Sequence, residues 1–120
     1  MPPTLGRLII YTRKIDEMIA FYCAHFGYSV LRQQGDRIVE LRPNGAGAPI
    51  LLHPAAKGQK QGQSLVKLVF DVPDVARFCD EARARGLDFG AIHSADGYSF
   101  ANARDPSGNP VQVSSRAFAD

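Results

Sequence analysis

Two short stretches decide the fold: Leu8-Ile9-Ile10-Tyr11-Thr12, and Leu68-Val69-Phe70-Asp71-Val72, which follows 60 residues later. The residues after each stretch also correspond, because apolar side chains recur there at spacings of i, i+3, i+4 and i+7. They are Ile15, Met18, Ile19 and Tyr22 in the first copy and Val75, Phe78, Cys79 and Ala82 in the second. This spacing is typical of a helix that buries one face. Each copy therefore begins with a strand followed by a helix.

Further strands are expected after each helix. The helices should end near Gly27 and Gly86, and Asp74 is placed to cap the second one. Short strand patterns separated by turn residues then occur at 28–32, 37–41 and 50–53 in the first copy and at 89–92, 98–103 and 111–114 in the second. The segment Asp105-Pro106-Ser107-Gly108-Asn109 has the composition of the last hairpin turn.

The repeat predicts an α+β fold, in which a single domain spans residues 1–120 and contains two βαβββ modules. We place the modules at about 5–54 and 64–115, with a polar, glycine-containing linker at about 55–63. A four-stranded sheet with one helix leaves its other face uncovered. We therefore expect the two mixed sheets to pair, with the helices outside and a ligand cup between the sheets.

Strand alternation predicts which side chains face this cup. In the first module the inward residues are Arg7, Ile9 and Tyr11 on the first strand, Ile38 and Glu40 on the third, and Leu51 and His53 on the fourth. In the second module they are Lys67, Val69 and Asp71 on the first strand, Phe100 and Asn102 on the third, and Gln112 and Ser114 on the fourth.

Composition limits the partners. The net charge is only +2, and no run of like charges suggests nucleic-acid binding. No apolar run approaches the ~20 residues that a membrane span needs. Cys23 and Cys79 are far apart, and the chain starts without a signal-peptide pattern, so we expect reduced thiols and a cytoplasmic location.

Two motifs carry a resemblance to a known family. Ala20-Phe21-Tyr22 near the end of the first helix, together with the turn at 105–109, resembles the vicinal oxygen chelate superfamily over about Arg7 to Ser115. This group contains glyoxalases, bleomycin-resistance proteins and extradiol dioxygenases. The resemblance implies paired βαβββ modules and a homodimer, and two-fold dimers are also the commonest oligomers.

The resemblance also identifies four positions that hold His, Gln or Glu in the metal-dependent members. Here these positions carry Arg7, Leu51, Lys67 and Gln112. Arg and protonated Lys offer no lone pair and Leu has no donor atom, so only Gln112 could ligate an ion. We therefore expect no metal and no other cofactor. The family's metal-dependent glyoxalase and dioxygenase activities are not carried over, since they use the metal as a Lewis acid.

The same substitutions suggest a different ligand. Arg7 and Lys67 occupy equivalent places in the two modules, and two cations inside a partly dry cup are costly unless an anion lies between them. The hypothesis is a small anionic ligand clamped by Arg7, with Lys67 as a point charge and Gln112 as an orienting hydrogen bond. The full set of candidate ligand-binding residues is Arg7, Lys67, Gln112, Tyr11, His53, Glu40, Phe100 and Asn102.

Three alternatives stay open at this point. Glu40 or Asp71 could neutralise Arg7 and Lys67 and leave a closed, salt-bridged core. A lyase or isomerase, metal-free or with a relocated metal near His53, could use groups such as Tyr11 and His53 for acid–base catalysis. The chain could also be a dimeric domain without a ligand. Whether the protein is an enzyme is not decided by its sequence.

Overall fold

A computed structural model describes residues 2–119 of the chain. It contains two compact modules, one ending at Lys60 and the other beginning at Gln61. Residues 55–63, the predicted linker, form neither a helix nor a strand. None of the helices within residues 2–119 has the length and apolar character needed to cross a membrane.

The first module has the element order βαβββ. Its elements are β1 (Leu8–Thr12), α1 (Ile15–Phe26), β2 (Ser29–Leu31), β3 (Val39–Arg42) and β4 (Ile50–Pro54). The sheet order is β1-β4-β3-β2, in which β1 and β4 are parallel and the other pairs are antiparallel. The last strand of the module therefore lies inside the sheet, next to the first.

The second module repeats this arrangement. Its elements are β5 (Leu68–Asp71), α2 (Val75–Ala84), β6 (His93–Ala95), β7 (Tyr98–Arg104) and β8 (Pro110–Ser114), followed by a short 3-10 helix at Arg116–Phe118. The sheet order is β5-β8-β7-β6, with β5 and β8 parallel. The α+β fold with two βαβββ modules, predicted from the repeat, is confirmed.

Both helices bury the predicted apolar stripe. Met18 and Tyr22 of α1 are fully buried, and α1 packs on β2, β3 and β4. Cys79 and Ala82 occupy the corresponding buried positions of α2. Gly27 ends α1 in the left-handed conformation, with φ +70°, which a residue with a Cβ atom adopts at a cost.

The predicted cap of the second helix is also present. The Asp74 side chain accepts a hydrogen bond from the backbone N–H of Arg77 at 3.1 Å. This bond satisfies one of the backbone donors that lack a partner in the first turn of a helix.

One predicted strand is wrong. Residues 89–92 form no strand, and β6 starts later, at His93. Phe89 is buried and its ring lies 6.1 Å from that of Phe78 on α2, so this side chain fills the core instead of alternating in a sheet. Ala95 pairs with Tyr98, which leaves Asp96-Gly97 as a two-residue hairpin turn. Asp-Gly is a strong hairpin signal, and it fixes where β6 ends.

The third strand of the first module is also displaced from its predicted position. The pattern suggested residues 37–41, whereas β3 is Val39–Arg42. The side chain of Asp36 accepts a hydrogen bond from the backbone N–H of Ile38 at 2.9 Å. This local turn bond takes Ile38 out of the strand.

Alternation of side chains is confirmed in both sheets. On the helix side, Leu52 and Val113 are fully buried. On the opposite side, which we call the distal face of each sheet, Ile9 and Tyr11 are each 49% exposed and Val69 is 52% exposed. The distal faces are the surfaces on which sequence reasoning placed the ligand-binding residues.

Candidate functional site

The distal face of the second module brings several predicted site residues into two adjacent rows. Across β5, β8 and β7, the first row is Val69, Gln112 and Asn102, and the second row is Asp71, Ser114 and Phe100. Rows two residues apart along a strand are about 7 Å apart. Gln112, Asn102 and Phe100 therefore lie close together on one surface, as alternation predicted.

Lys67 joins this surface through a shared hydrogen-bond acceptor. The side-chain oxygen Oδ1 of Asn102 accepts from Lys67 Nζ at 3.1 Å and from Gln112 Nε2 at 2.9 Å. We call Lys67, Asn102 and Gln112 the amide cluster. Asn102 is uncharged, so its hydrogen bond fixes the position of the Lys67 ammonium group without neutralising the positive charge.

A cleft of about 500 Å³ adjoins the amide cluster. It is lined by Ser64, Leu65, Lys67, Asn102, Ala103, Arg104 and Pro110. Arg104 adds a second positive charge, and its Nη1 donates to the carbonyl oxygen of Gly108 at 2.6 Å. No lining residue is acidic, and within residues 2–119 neither Lys67 nor Arg104 forms an ion pair. We call this region the basic cleft.

Sequence reasoning missed Arg104. The predicted third strand of the second module ended at residue 103, whereas β7 continues to Arg104. Extending the alternation from Asn102 by two residues would have placed Arg104 on the same face. The alternating pattern of the strand was therefore a sufficient signal, and the error lay in ending the predicted strand one residue too early.

A second cavity, of about 430 Å³, lies toward the other end of the same face. Its lining includes Val69, Asp71, Tyr98, Phe100, Gln112, Ser114, Arg116 and Ala117. The Phe100 ring stacks on that of His93, with centroids 5.2 Å apart, and lies 6.2 Å from that of Tyr98. We call this region the aromatic cavity.

Arg116 also lines the aromatic cavity, and sequence reasoning missed it. Its guanidinium carbon lies 5.6 Å from the centre of the Tyr98 ring, in the geometry of a cation–π contact. Its backbone N–H donates to Ser114 Oγ at 3.1 Å. The residue belongs to the short 3-10 helix after β8, which no sequence pattern indicated.

In the first module, Tyr11 and His53 are neighbours across β1 and β4, with ring centroids 5.1 Å apart. His53 Nδ1 lies 2.8 Å from the carbonyl oxygen of Pro54. A carbonyl oxygen only accepts, so Nδ1 carries the proton of the neutral ring and Nε2 is its acceptor atom. His53 is therefore oriented as a candidate base.

Glu40 has a different partner from the one considered in the sequence. It forms an ion pair with Arg42, two residues along β3, so its charge is balanced inside the first module. Arg7 is exposed and immediately precedes β1.

The eight candidate residues thus form two groups. Lys67, Gln112, Asn102 and Phe100 lie together in the second module, and Arg7, Tyr11, His53 and Glu40 belong to the first. The expected approach of Arg7 to Lys67 stays a prediction.

The four positions that the family resemblance assigns to metal ligands do not fit a divalent cation here. Of Arg7, Leu51, Lys67 and Gln112, only Gln112 has a suitable lone pair, and its amide is part of the amide cluster. Within the part of the chain that the structure describes, no group of three or more His, Cys, Asp or Glu side chains is placed to hold an ion. We derive no chemistry through a metal at these positions.

The two cysteines are not activated nucleophiles. Cys23 and Cys79 are free thiols, and Cys79 is buried. Burial raises the pKa of both thiols above its ordinary value. Near Cys79, Asp80 raises the pKa further, whereas Arg83 lowers it. A raised pKa disfavours the thiolate, which is the reactive form.

Solved structures with the same fold support this description. TnmS3, an antibiotic binding protein from Streptomyces sp. CB03234, is 20% identical with a TM-score of 0.77, and the match covers 94% of this chain and 96% of that one. UcmS2 is 19% identical with a TM-score of 0.81, covering 96% and 99%. A lactoylglutathione lyase from Agrobacterium tumefaciens is 19% identical with a TM-score of 0.71, covering 98% and 97%. No curated protein matches the chain.

The sequence itself matches a family model. The model for the glyoxalase/bleomycin resistance protein/dioxygenase superfamily matches residues 4–113, which is most of the chain. This match agrees with the resemblance carried by Ala20-Phe21-Tyr22 and by the turn at 105–109. The chain therefore belongs to the glyoxalase/bleomycin resistance protein/dioxygenase superfamily.

Proposed function

We propose that this protein binds a small anionic molecule, a carboxylate or a phosphate, on the distal face of its second module, without a metal. The observation that carries the proposal is the basic cleft. Lys67 and Arg104 line it with two positive charges, and none of the lining residues is acidic. An anion is the ligand that balances such a surface.

The amide cluster supports the same proposal. Asn102 Oδ1 uses its lone pairs for Lys67 and Gln112, so it holds the ammonium at a defined position. Lys67 Nζ has three hydrogens and donates one of them to Asn102. The other two are suited to an incoming oxygen anion. The expected alternative, neutralisation of Lys67 by a carboxylate, has no counterpart among the described residues of the second module, 61–119.

The relatives of similar fold give binding a precedent. TnmS3 is described as an antibiotic binding protein, whereas the structure from Agrobacterium tumefaciens is described as a lactoylglutathione lyase. Binding fits the present chain better because its metal-ligand positions do not fit an ion. We extend the proposal to a role for Arg7 in holding the ligand, to a homodimer as the assembled form, and to the cytoplasm as the location.

The experiment is a binding titration with a matched control. Benzoate and inorganic phosphate are titrated into the purified protein while backbone amide resonances are followed by NMR. We expect shifts at residues 102–104 and 112, and weaker binding at high salt. Lys67→Met should raise Kd about fivefold, since an exposed charge pair contributes up to about 1 kcal/mol. Lys60→Met is the control, because Lys60 is exposed and outside the basic cleft.

The decisive outcome is the difference between the two variants. If Lys67→Met and Lys60→Met bind both anions like the unaltered protein, the basic cleft is not an anion site. If neither anion shifts a resonance of the second module at any salt concentration, the proposal also fails.

The Tyr11–His53 pair favours one second candidate, a metal-free lyase or isomerase. The hydrogen bond to Pro54 fixes the His53 tautomer and leaves Nε2 to accept a proton, with the Tyr11 ring 5.1 Å away. Exchange of the methyl protons of pyruvate, which lie next to its ketone, with D₂O tests this candidate. Exchange should stop in His53→Gln and persist in His93→Gln. Equal exchange rates in both variants and in buffer would eliminate it.

A further inference from the structure

The aromatic cavity lies on the same face as the basic cleft and has a definite shape. Asp71, Ser114 and Phe100 form one row across β5, β8 and β7. Neighbouring strands are about 4.8 Å apart, so Asp71 and Phe100 stand on strands about 10 Å apart. Ser114, between them, has the shortest side chain of the row. The row is therefore a slot with Phe100 on one side and Asp71 on the other.

The Phe100 ring is fixed as one wall of this slot. His93, its partner on β6, stacks against it at 5.2 Å with an interplanar angle of 29°. His93 covers the side of Phe100 toward the sheet edge, which leaves the other side toward Ser114 and the cavity. Aromatic rings pack at centroid distances of about 4.5–7 Å. A slot about 10 Å wide therefore accommodates one flat ring stacked on Phe100.

The slot leads toward the amide cluster. The next row along the strands is Val69, Gln112 and Asn102, about 7 Å from the Phe100 row. Lys67 Nζ reaches that row through its hydrogen bond to Asn102. A substituent that extends about 7 Å from a ring in the slot would therefore reach the Lys67 ammonium and the side-chain amides of Asn102 and Gln112.

Asp71 sets the chemistry of the opposite wall. Its side chain is exposed and lines the aromatic cavity. A carboxylate there would repel a second acid but accept a hydrogen bond from a hydroxyl on the ring. The face therefore presents, in order, positive charge, amides, an aromatic wall and a hydrogen-bond acceptor.

We propose that the ligand is a flat aromatic acid with a hydroxyl on its ring. The ring stacks on Phe100, the hydroxyl donates to Asp71, and the acid group lies at Lys67 and the amide cluster. This inference rests on the proposed function, because it uses Lys67 as the anion partner. It adds the ligand class and assigns a specificity role to Phe100 and Ser114.

Four compounds separate the two proposals. They are 6-hydroxy-2-naphthoate, its saturated counterpart 6-hydroxydecahydro-2-naphthoate, the uncharged 2-naphthol, and inorganic phosphate. Kd values come from naphthalene fluorescence for the aromatic compounds and from NMR titration for the others. We expect the hydroxynaphthoate to bind about two- to tenfold more tightly than the saturated acid, the range of an aromatic stacking contact.

Two variants test the slot directly. Phe100→Leu should remove the preference for the aromatic acid while leaving phosphate binding unchanged. Phe118→Leu is the matched control, because Phe118 is 56% exposed and outside the cavity.

Ser114→Thr tests the floor of the slot. It keeps the hydroxyl that accepts a hydrogen bond from the Arg116 backbone N–H but adds a methyl group. It should weaken binding of the hydroxynaphthoate more than that of phosphate.

Each outcome has one meaning. If both acids bind equally and Phe100→Leu changes neither, the aromatic inference is wrong and the anion site stands. If 2-naphthol binds and no anion does, the acid group is wrong, and so is the proposed function. If no compound binds, both proposals fail. If Phe100→Leu unfolds, the Ser114→Thr result decides.

Discussion

Gly108 lies so close to Gly62 that a Cβ atom added to Gly108 would stand 3.1 Å from the Gly62 Cα. Beside this contact, the Ser107 hydroxyl donates to the side-chain oxygen of Gln61 at 3.1 Å. The start of the second module is therefore held against the turn between β7 and β8 by direct backbone packing.

Gly108→Ala should lower the free energy of unfolding by about 2–3 kcal/mol. The left-handed conformation, φ +85°, costs about 1–2 kcal/mol for a residue with a Cβ atom, and the backbone of Gly62 must also move. Gly97→Ala is the control, since Gly97 has φ +77° and open space around it. Urea unfolding measures both. Equal losses would show that the contact between the glycines contributes nothing.

Asp105→Ala should destabilise the second module by about 2–3 kcal/mol. The buried carboxylate accepts hydrogen bonds from the backbone N–H groups of Ser107 and Asn109, at 3.0 and 2.9 Å, and truncation leaves both donors without it. Asp74→Ala, which removes an exposed helix cap, should cost about 1 kcal/mol. Thermal or urea unfolding compares them, and a smaller loss for Asp105→Ala would contradict the assigned role of the turn.

Arg7→Met tests the part of the site hypothesis that belongs to the first module. If Arg7 helps to hold the anion, its loss should raise the Kd for benzoate about fivefold, as expected for an exposed charge contact. Arg13→Met provides a comparison, because Arg13 Nη1 donates to the Gln59 carbonyl oxygen instead. An unchanged Kd for Arg7→Met would mean that the second module alone binds the ligand.

Stability should fall as the pH rises above the ordinary thiol pKa of 9.0. Burial raises the pKa of Cys79 in the folded state, so the folded thiol keeps its proton while the unfolded thiol loses it. Unfolding then releases a proton and becomes easier as the pH rises. Urea unfolding at pH 7 and pH 9.5, with the protein and Cys79→Ala compared at each pH, measures this effect. An identical pH dependence in both would show that Cys79 makes no contribution.

Much of the architecture follows from local patterns in the sequence. The stripe that includes Met18 and Tyr22 has helical spacing, and both side chains are fully buried. Strand boundaries were less predictable because they depend on tertiary packing. Phe89 belongs to a strand-like run, yet its ring is used in the core beside Phe78. The Asp96-Gly97 turn is the local sequence signal that places the end of β6.

The candidate site was predictable to a similar extent. The period of two residues along a strand is sufficient to place Phe100 and Asn102 on one face. The bond between Lys67 and Asn102 was not predictable, because a lysine side chain has many rotamers and its partner is 35 residues away. Arg116 depends on a single turn of 3-10 helix, which is too short to leave a periodic pattern.

The position of β4 and β8 within their sheets has a consequence for folding during synthesis. β1 and β5 each pair only with a strand that is made about 40 residues later, so neither sheet is complete until its final strand has left the ribosome. The first sheet has all its strands once Pro54 emerges, when β5, which begins at Leu68, is still inside the ribosome. The ribosome therefore releases the two halves of the repeat in sequence, and the earlier one can fold before the homologous strands of the second half have emerged to compete for pairing.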